Sequence, residues 1–258
     1  MDILTNDYFL LAISAVLAGL IDSVVGGGGL IQLPALLSAL PHAAPASLFG
    51  TNKLAAIWGT AFAARSYAKR LTLMWNLALP ASVAALIFAF LGARAVSLVP
   101  QDLLRKALPF LLLAVAAYVF RRKSFGSESR AEERVANPTR LALLTGAVIG
   151  FYDGLFGPGT GSFLIFLFVR FFHLDFLQAS AIAKVVNVAC NFAALSWFAA
   201  AGFVIWPLGL LMAVGNITGA IIGTRLALVG GTGFVRQLFL VMVGLLIVKT
   251  GYDGFFRH

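Results

Sequence analysis

Apolar runs separated by short polar interruptions cover most of this chain. Stretches of roughly 17 to 25 mainly apolar residues, long enough for a helix to cross a bilayer, occupy residues 8–25, 47–68, 75–99 and 103–120. Four more follow at 141–156, 179–200, 206–229 and 234–250. The pattern predicts eight long helices and no strands. Between the first and second long run of each set lies a shorter apolar piece, 30–40 and 162–172. At 1.5 Å per residue such a piece reaches about 17 Å, well short of the roughly 30 Å hydrocarbon core. It must tilt, re-enter or break.

The second set repeats the first at a constant offset of 131 residues, with no gap: Asp22 matches Asp153, Gly26 matches Gly157, Gly28 matches Gly159 and Lys53 matches Lys184. Trp75 and Trp206, Gly92 and Gly223, Arg94 and Arg225, and Arg105 and Arg236 obey the same offset. Duplicated charges and glycine interruptions inside apolar runs are the sequence pattern of a secondary transporter whose site lies where its halves meet. The expected fold class is therefore all-α and polytopic, with two homologous repeats of four long transmembrane helices plus one short broken or re-entrant helix each. The expected division is repeat 1 over residues 1–120, a cytoplasmic linker over 121–139 and repeat 2 over 140–258.

Composition agrees with this class. The 258 residues are 60% hydrophobic and 11% charged, against about 25% charged in soluble domains. Mean hydropathy is +0.95. The net charge of +9 does not point to nucleic acid, because Lys and Arg sit at the ends of apolar runs instead of clustering on a solvated face. The N-terminus shows neither a signal-peptide pattern nor a lipidation signal, so the first helix is expected to remain. Segment 121–139 is the one long polar stretch, and its excess of arginine makes it cytoplasmic by the positive-inside rule. Arg65, Lys69 and Arg70 precede Trp75, whereas the loop before Trp206 carries no charge. That contrast favours inverted repeats with both termini outside, although Lys249 and Arg257 break the rule. Parallel four-helix halves with re-entrant short pieces are the alternative.

Charges inside apolar helices cost about 2.5 kcal/mol or more at the helix centre, so they should face protein or water. Arg94 and Arg225 read as snorkelling structural charges. Lys53 and Lys184 read as functional: each lies early in its helix, near Asn52 or Asn187, and would attract an anion if its aspartate were neutral or unpaired. The plain alternative pairs Asp22 with Lys53 simply to hold the bundle together. Gly26, Gly27, Gly28 and Gly29, and the segment Gly157, Pro158, Gly159, Thr160 and Gly161, should open the helix, because glycine costs near 1 kcal/mol per position and proline removes a donor. The opened backbone would present amides at the positive end of the next short helix, which suits an anion. Close helix packing is the competing reading of the glycines. Thr51, Asn52, Asn187, Asn191 and Asn216 are further lining candidates, and Trp75 and Trp206 read as interface anchors. Cys190 lies in an apolar run, so no intrachain disulfide or cysteine metal cluster is expected. The histidines have no ligand spacing and no Walker motif is present, which points away from a metal, a cofactor or ATP hydrolysis.

The strings AGLIDSVVGGGGLIQLPALL at 18–37, GTNKLAAIWGTAFA at 50–63, GFYDGLFGPGTGSF at 150–163 and AKVVN at 183–187 resemble the sulfite exporter TauE/SafE family of bacterial permeases. The resemblance spans nearly the whole chain. It implies a multi-pass inner-membrane carrier with about eight helices, moving sulfite, a sulfonate or a related sulfur or organic anion. The expected mechanism seats a small anion between the glycine breaks, on backbone amides and on Lys53 and Lys184, while the halves rock; Asp22 and Asp153 would carry a coupling proton. An anion channel and a non-transporting assembly or scaffold protein are the rivals; a membrane enzyme lacks a visible nucleophile and base. The partners expected are the anion, a proton and the bilayer, with homo-oligomerisation left open.

Overall fold

The computed structural model describes residues 2–100 and 137–256. The expected helix at 103–120, Arg105 and most of the linker, 121–136, lie outside the described residues. Among those described the protein is all-α, with eight helices: α1 (Asp2–Val25), α2 (Gly29–Ala39), α3 (Pro45–Arg70), α4 (Trp75–Leu98), α5 (Pro138–Leu155), α6 (Thr160–Phe172), α7 (Phe176–Ala200) and α8 (Trp206–Phe256). Boundaries follow local chemistry. Pro45 and Pro138 open α3 and α5, where a missing N–H costs nothing, and Lys69 and Arg70 close α3 beside its exposed carbonyls. Asp175 caps α7, its Oδ1 accepting from the amides of Leu177 and Gln178 at 2.9 Å. The separate runs expected at 206–229 and 234–250 join in α8, which is interrupted by non-helical backbone at Gly231.

Among the described residues four stretches are long and apolar enough to span a bilayer: Tyr8–Val25, Trp75–Val96, Phe176–Ala200 and Trp206–Val235. The short apolar helices Gly29–Ala39 and Thr160–Phe172 are also present as expected. The 26-residue α3 is long but more polar. It can be, because it packs against α7 and α8 and buries residues from Pro45 to Tyr67.

The elements before residue 101 and after residue 136 do not form separate bundles. Helix α1 packs chiefly on α8, α4 on α5, and α3 against both α7 and α8. The α4–α5 seam is built from small residues four apart. Ala81, Ala85, Ala89 and Ala93 are fully buried, and Gly146, Gly150 and Gly154 of α5 lie against the backbones of Ala81, Ala85 and Ala89. Small side chains let the helix backbones approach, which is how transmembrane helices gain packing energy without a hydrophobic driving force. The α1–α8 seam uses the positions 131 residues away, with Gly19 against Asn216 and Gly223 against Leu20. It is more polar, since Ser23, Asn216 and Thr224 are buried there.

Candidate functional site

Helix α1 stops at Val25 because Gly26 takes φ +79°, and α5 gives way to a turn in which Gly157 and Gly159 take φ +89° and +82°. Only glycine adopts this region without strain. Both helices therefore break where the glycines were expected to break them. The breaks meet: Gly26 and Gly161 touch backbone to backbone, and the Ser162 amide donates to the Gly26 carbonyl at 3.1 Å. Among the described residues, none of the backbone hydrogen bonds around the first break uses the amides of Gly27 or Gly28.

The duplicated charges lie beside the breaks, paired crosswise. Lys53 of α3 donates to Asp153 of α5 at 2.5 Å, and Lys184 of α7 donates to Asp22 of α1 at 3.1 Å. Each lysine thus meets the aspartate from the far part of the chain, not the Asp22–Lys53 partner that the plain reading offered, and neither lysine is unpaired. A buried ion pair offsets the large desolvation cost of its members only when the geometry is good and other bonds help. For Asp22 the help comes from Thr60, whose hydroxyl lies 3.2 Å from Oδ2 and shares its one proton with the Ala56 carbonyl at 2.9 Å.

A polar cavity of about 20 Å³ opens between the pairs. That is close to the roughly 10–15 Å³ that one ordered water requires, so a many-atom solute needs the walls to move apart. From the anticipated site, Gly26, Gly29, Asn52, Lys53, Gly157 and Gly159 reach its wall. So do Thr160, Gly161, Asn187, Asp22 and Asp153. Gly27 and Gly28 are buried off the wall, and Lys184 is fully buried behind Asp22. Thr51 is engaged elsewhere, accepting from the Ile205 amide at 2.9 Å and donating to the Ser47 carbonyl. Arg94 and Arg225 face outward, and Arg94 stacks over Trp197 at 5.7 Å. Trp75 and Trp206 are about half exposed at their helix starts. Asn216 bonds Gln32 at 3.3 Å, away from the cavity wall.

Several contributors escaped the sequence reading. Thr60 and Ala56 line the cavity, and Asn191, weighed only as a general lining candidate, donates to Asn187 at 3.2 Å on the same wall. Three hydroxyls cap the end of α1: Tyr67 on the Ser23 carbonyl, Ser180 on Val24 and Ser162 on Val25, at 2.9, 2.7 and 2.8 Å. A helix end leaves its last carbonyls without intrahelical partners, and here side chains from α3, α6 and α7 supply them. Each is a lone Ser or Tyr in an apolar run, a weak signal before the packing is known. Among the described residues no group of His, Cys, Asp and Glu has the arrangement of a metal site.

Apolar helices, two helix breaks in contact and, among the described residues, charges buried in pairs around a polar cavity describe a polytopic membrane protein. The family model "Sulfite exporter TauE/SafE" matches residues 11–250, and the chain belongs to that family of membrane transporters. It is 38% identical over 240 residues to the "Probable membrane transporter protein ORF9" of Sinorhizobium sp, covering 93% of this chain and 90% of the relative. The "Probable membrane transporter protein YfcA" of Escherichia coli K12 is 35% identical, with 93% and 88% covered. A "Probable membrane transporter protein" of Haemophilus influenzae is also 35% identical, with 93% of each chain covered. No solved structure matches the chain.

Proposed function

We propose that this protein is a secondary transporter that moves a small anion, sulfite, a sulfonate or a related sulfur or organic anion, across the bacterial inner membrane by alternating access. The observation that carries the reading is the crosswise pairing of Lys53 with Asp153 and Lys184 with Asp22 at two touching helix breaks around a polar cavity. Broken helices whose amides and charges converge are how transporters seat charged solutes without lipid exposure. Membership of the sulfite exporter family supports the anion class.

The two repeats run over residues 1–120 and 140–258, joined by the cytoplasmic linker 121–139, and are inserted upside down relative to each other. Reciprocal contacts support the two-fold repeat, since Gly92 meets the Phe151 carbonyl and Gly223 the Leu20 carbonyl, each residue 131 positions from its counterpart; the inversion rests on the contrast in loop charge before Trp75 and Trp206. At about 20 Å³ the cavity is too small for sulfite until the repeats part. The anion then takes the cavity wall, the glycine amides and the ammonium of Lys53, and a carboxylate takes up a proton as the anion enters.

Purified protein in proteoliposomes, loaded with unlabelled sulfite, taurine or sulfoacetate and diluted into radiolabelled sulfite, tests the reading. Transient label accumulation by counterflow is expected. Flux without counterflow makes the protein a channel. Absence of flux for every anion, with loss of a partner complex on gene deletion, makes it an assembly factor.

A further inference from the structure

We infer that the two lysine–aspartate pairs have different jobs: Lys53–Asp153 is the exchangeable pair, in which the transported anion replaces Asp153 on the Lys53 ammonium, while Lys184–Asp22 is a fixed brace. The inference rests on the anion-transport reading above and divides its labour between the halves.

The pairs differ in access. Both aspartates line the cavity, so the difference lies at the lysines: Lys53 reaches the wall, whereas Lys184 has no exposed surface and lies off it. They differ also in what surrounds the carboxylate. Asp22 accepts from Lys184 and has the Thr60 hydroxyl 3.2 Å away, shared with the Ala56 carbonyl at 2.9 Å, whereas among the described residues the side-chain partner of Asp153 is Lys53 alone. The residue 131 positions beyond Thr60 is Asn191, which donates to Asn187 and not to Asp153.

The breaks differ in the same sense. The end of α1 is tied by Tyr67, Ser180 and Ser162 and by the Ser162 amide. At the offset of 131 the corresponding residues are Phe198, Phe49 and Ile31, which carry no donor. Among the described residues no side chain donates to the carbonyls of Gly154, Leu155 or Phe156 at the end of α5. The second break is held instead within its own turn, by the Tyr152 hydroxyl on the Pro158 carbonyl and the Thr160 hydroxyl on the Gly157 carbonyl, so the last carbonyls of α1 are tied to α3, α6 and α7 while those of α5 have no side-chain donor among the described residues.

A further group on the wall lacks a partner. Asn52, beside Lys53, is 94% buried by its 6% exposure, lines the cavity, and its Oδ1 has no hydrogen-bond partner. A buried amide left this way costs about 1–3 kcal/mol, which a solute or water on the wall would recover. Gly157 lies against Lys53, so close that a Cβ there would stand 3.1 Å from Nζ. Ammonium, amide and open backbone thus converge on one seat at the second break.

The charge balance follows. One negative charge of the anion arrives at Lys53, and Asp153, displaced, takes up one proton delivered from the bulk aqueous phase on the side the anion enters from, so the cavity's net charge does not change. Release on the other side reverses both steps. The titratable groups facing Asp153 are Lys53 of α3 and Cys190 of α7, with Tyr152 beside it on α5.

Sulfite counterflow and melting temperature in detergent, measured together, test the assignment. Lys53→Gln is expected to raise the KM for sulfite about tenfold or more, the loss of a charged hydrogen bond to the solute, with Lys53→Arg recovering part of it. Lys184→Gln is expected to lower the melting temperature while KM in the folded fraction moves less than about threefold. Asp153→Asn should remove accumulation driven by a pH gradient; Asp22→Asn should leave that response in whatever protein folds. If Lys53→Gln does not fold, proton uptake on adding sulfite to wild-type protein in weak buffer decides: one proton per anion charge supports the exchange, none overturns it. Equal KM effects at Lys53 and Lys184, or a pH response lost at Asp22 and kept at Asp153, overturn the division of labour and leave transport standing. A wild-type protein that moves no anion overturns both.

Discussion

Gly92 of α4 rests against the carbonyl oxygen of Phe151 on α5 so closely that a methyl group has no room between the helices. Two opposed effects meet in Gly92→Ala. Helix propensity favours alanine by about 1 kcal/mol, and forced overpacking costs about 1–3 kcal/mol. Backbone cannot swing aside as a side chain can, so the clash should win. Gly92→Ala is expected to lower the melting temperature in detergent, whereas Gly233→Ala, with nothing within 4 Å of its Cβ position, should not.

The caps on α1 make a second prediction. Ser162→Ala strips the Val25 carbonyl and Tyr67→Phe strips that of Ser23, each buried, at about 1–3 kcal/mol. Thermal unfolding should show both losses. Phe49→Ser, at the position matching Ser180 in the other half, should gain nothing comparable, because it opens a cavity where a Phe 2% exposed now packs.

Breaking the Lys53–Asp153 pair should cost more than removing it. Either Lys53→Met or Asp153→Leu alone leaves a buried charge unpaired, at roughly 3–5 kcal/mol. The double variant leaves none and should recover most of the folded yield in size-exclusion chromatography. Its sulfite counterflow should stay absent. Recovery of both would separate the pair from transport.

Gly157→Ala tests the second break. At φ +89° an alanine pays about 1–2 kcal/mol of strain, and its methyl crowds the Lys53 ammonium. Counterflow is expected to fall by more than the folded yield does.

Cys190 is fully enclosed in α7. A maleimide should leave it unmodified in folded protein and label it once in dodecyl sulfate, as read by intact mass. Labelling of the folded protein would contradict the packing of α7.

Much of this protein could be read before folding was considered. The apolar runs define the helices within a few residues, since a bilayer demands continuous apolar stretches and every interior backbone bond satisfied. Gly26–Gly29 and Gly157–Gly161 mark the breaks by propensity alone. The small residues at 81, 85, 89 and 93 on α4 and at 142, 146, 150 and 154 on α5 spell out a packing seam in a four-residue period, legible though unread. What periodicity cannot express is which helix receives which charge. A lysine's partner depends on distance in space, and offset arithmetic is equally compatible with pairing inside a half or between halves. Packing α1 on α8 and α4 on α5 decided for the second, sending Lys53 to Asp153 and Lys184 to Asp22. The same packing brought Tyr67, Ser162 and Ser180 to the end of α1, while the turn after α5 is held by its own neighbours Tyr152 and Thr160. Helices and breaks are local consequences of composition; the pairing of charges and the inequality of the two breaks arise only when distant segments share one interior.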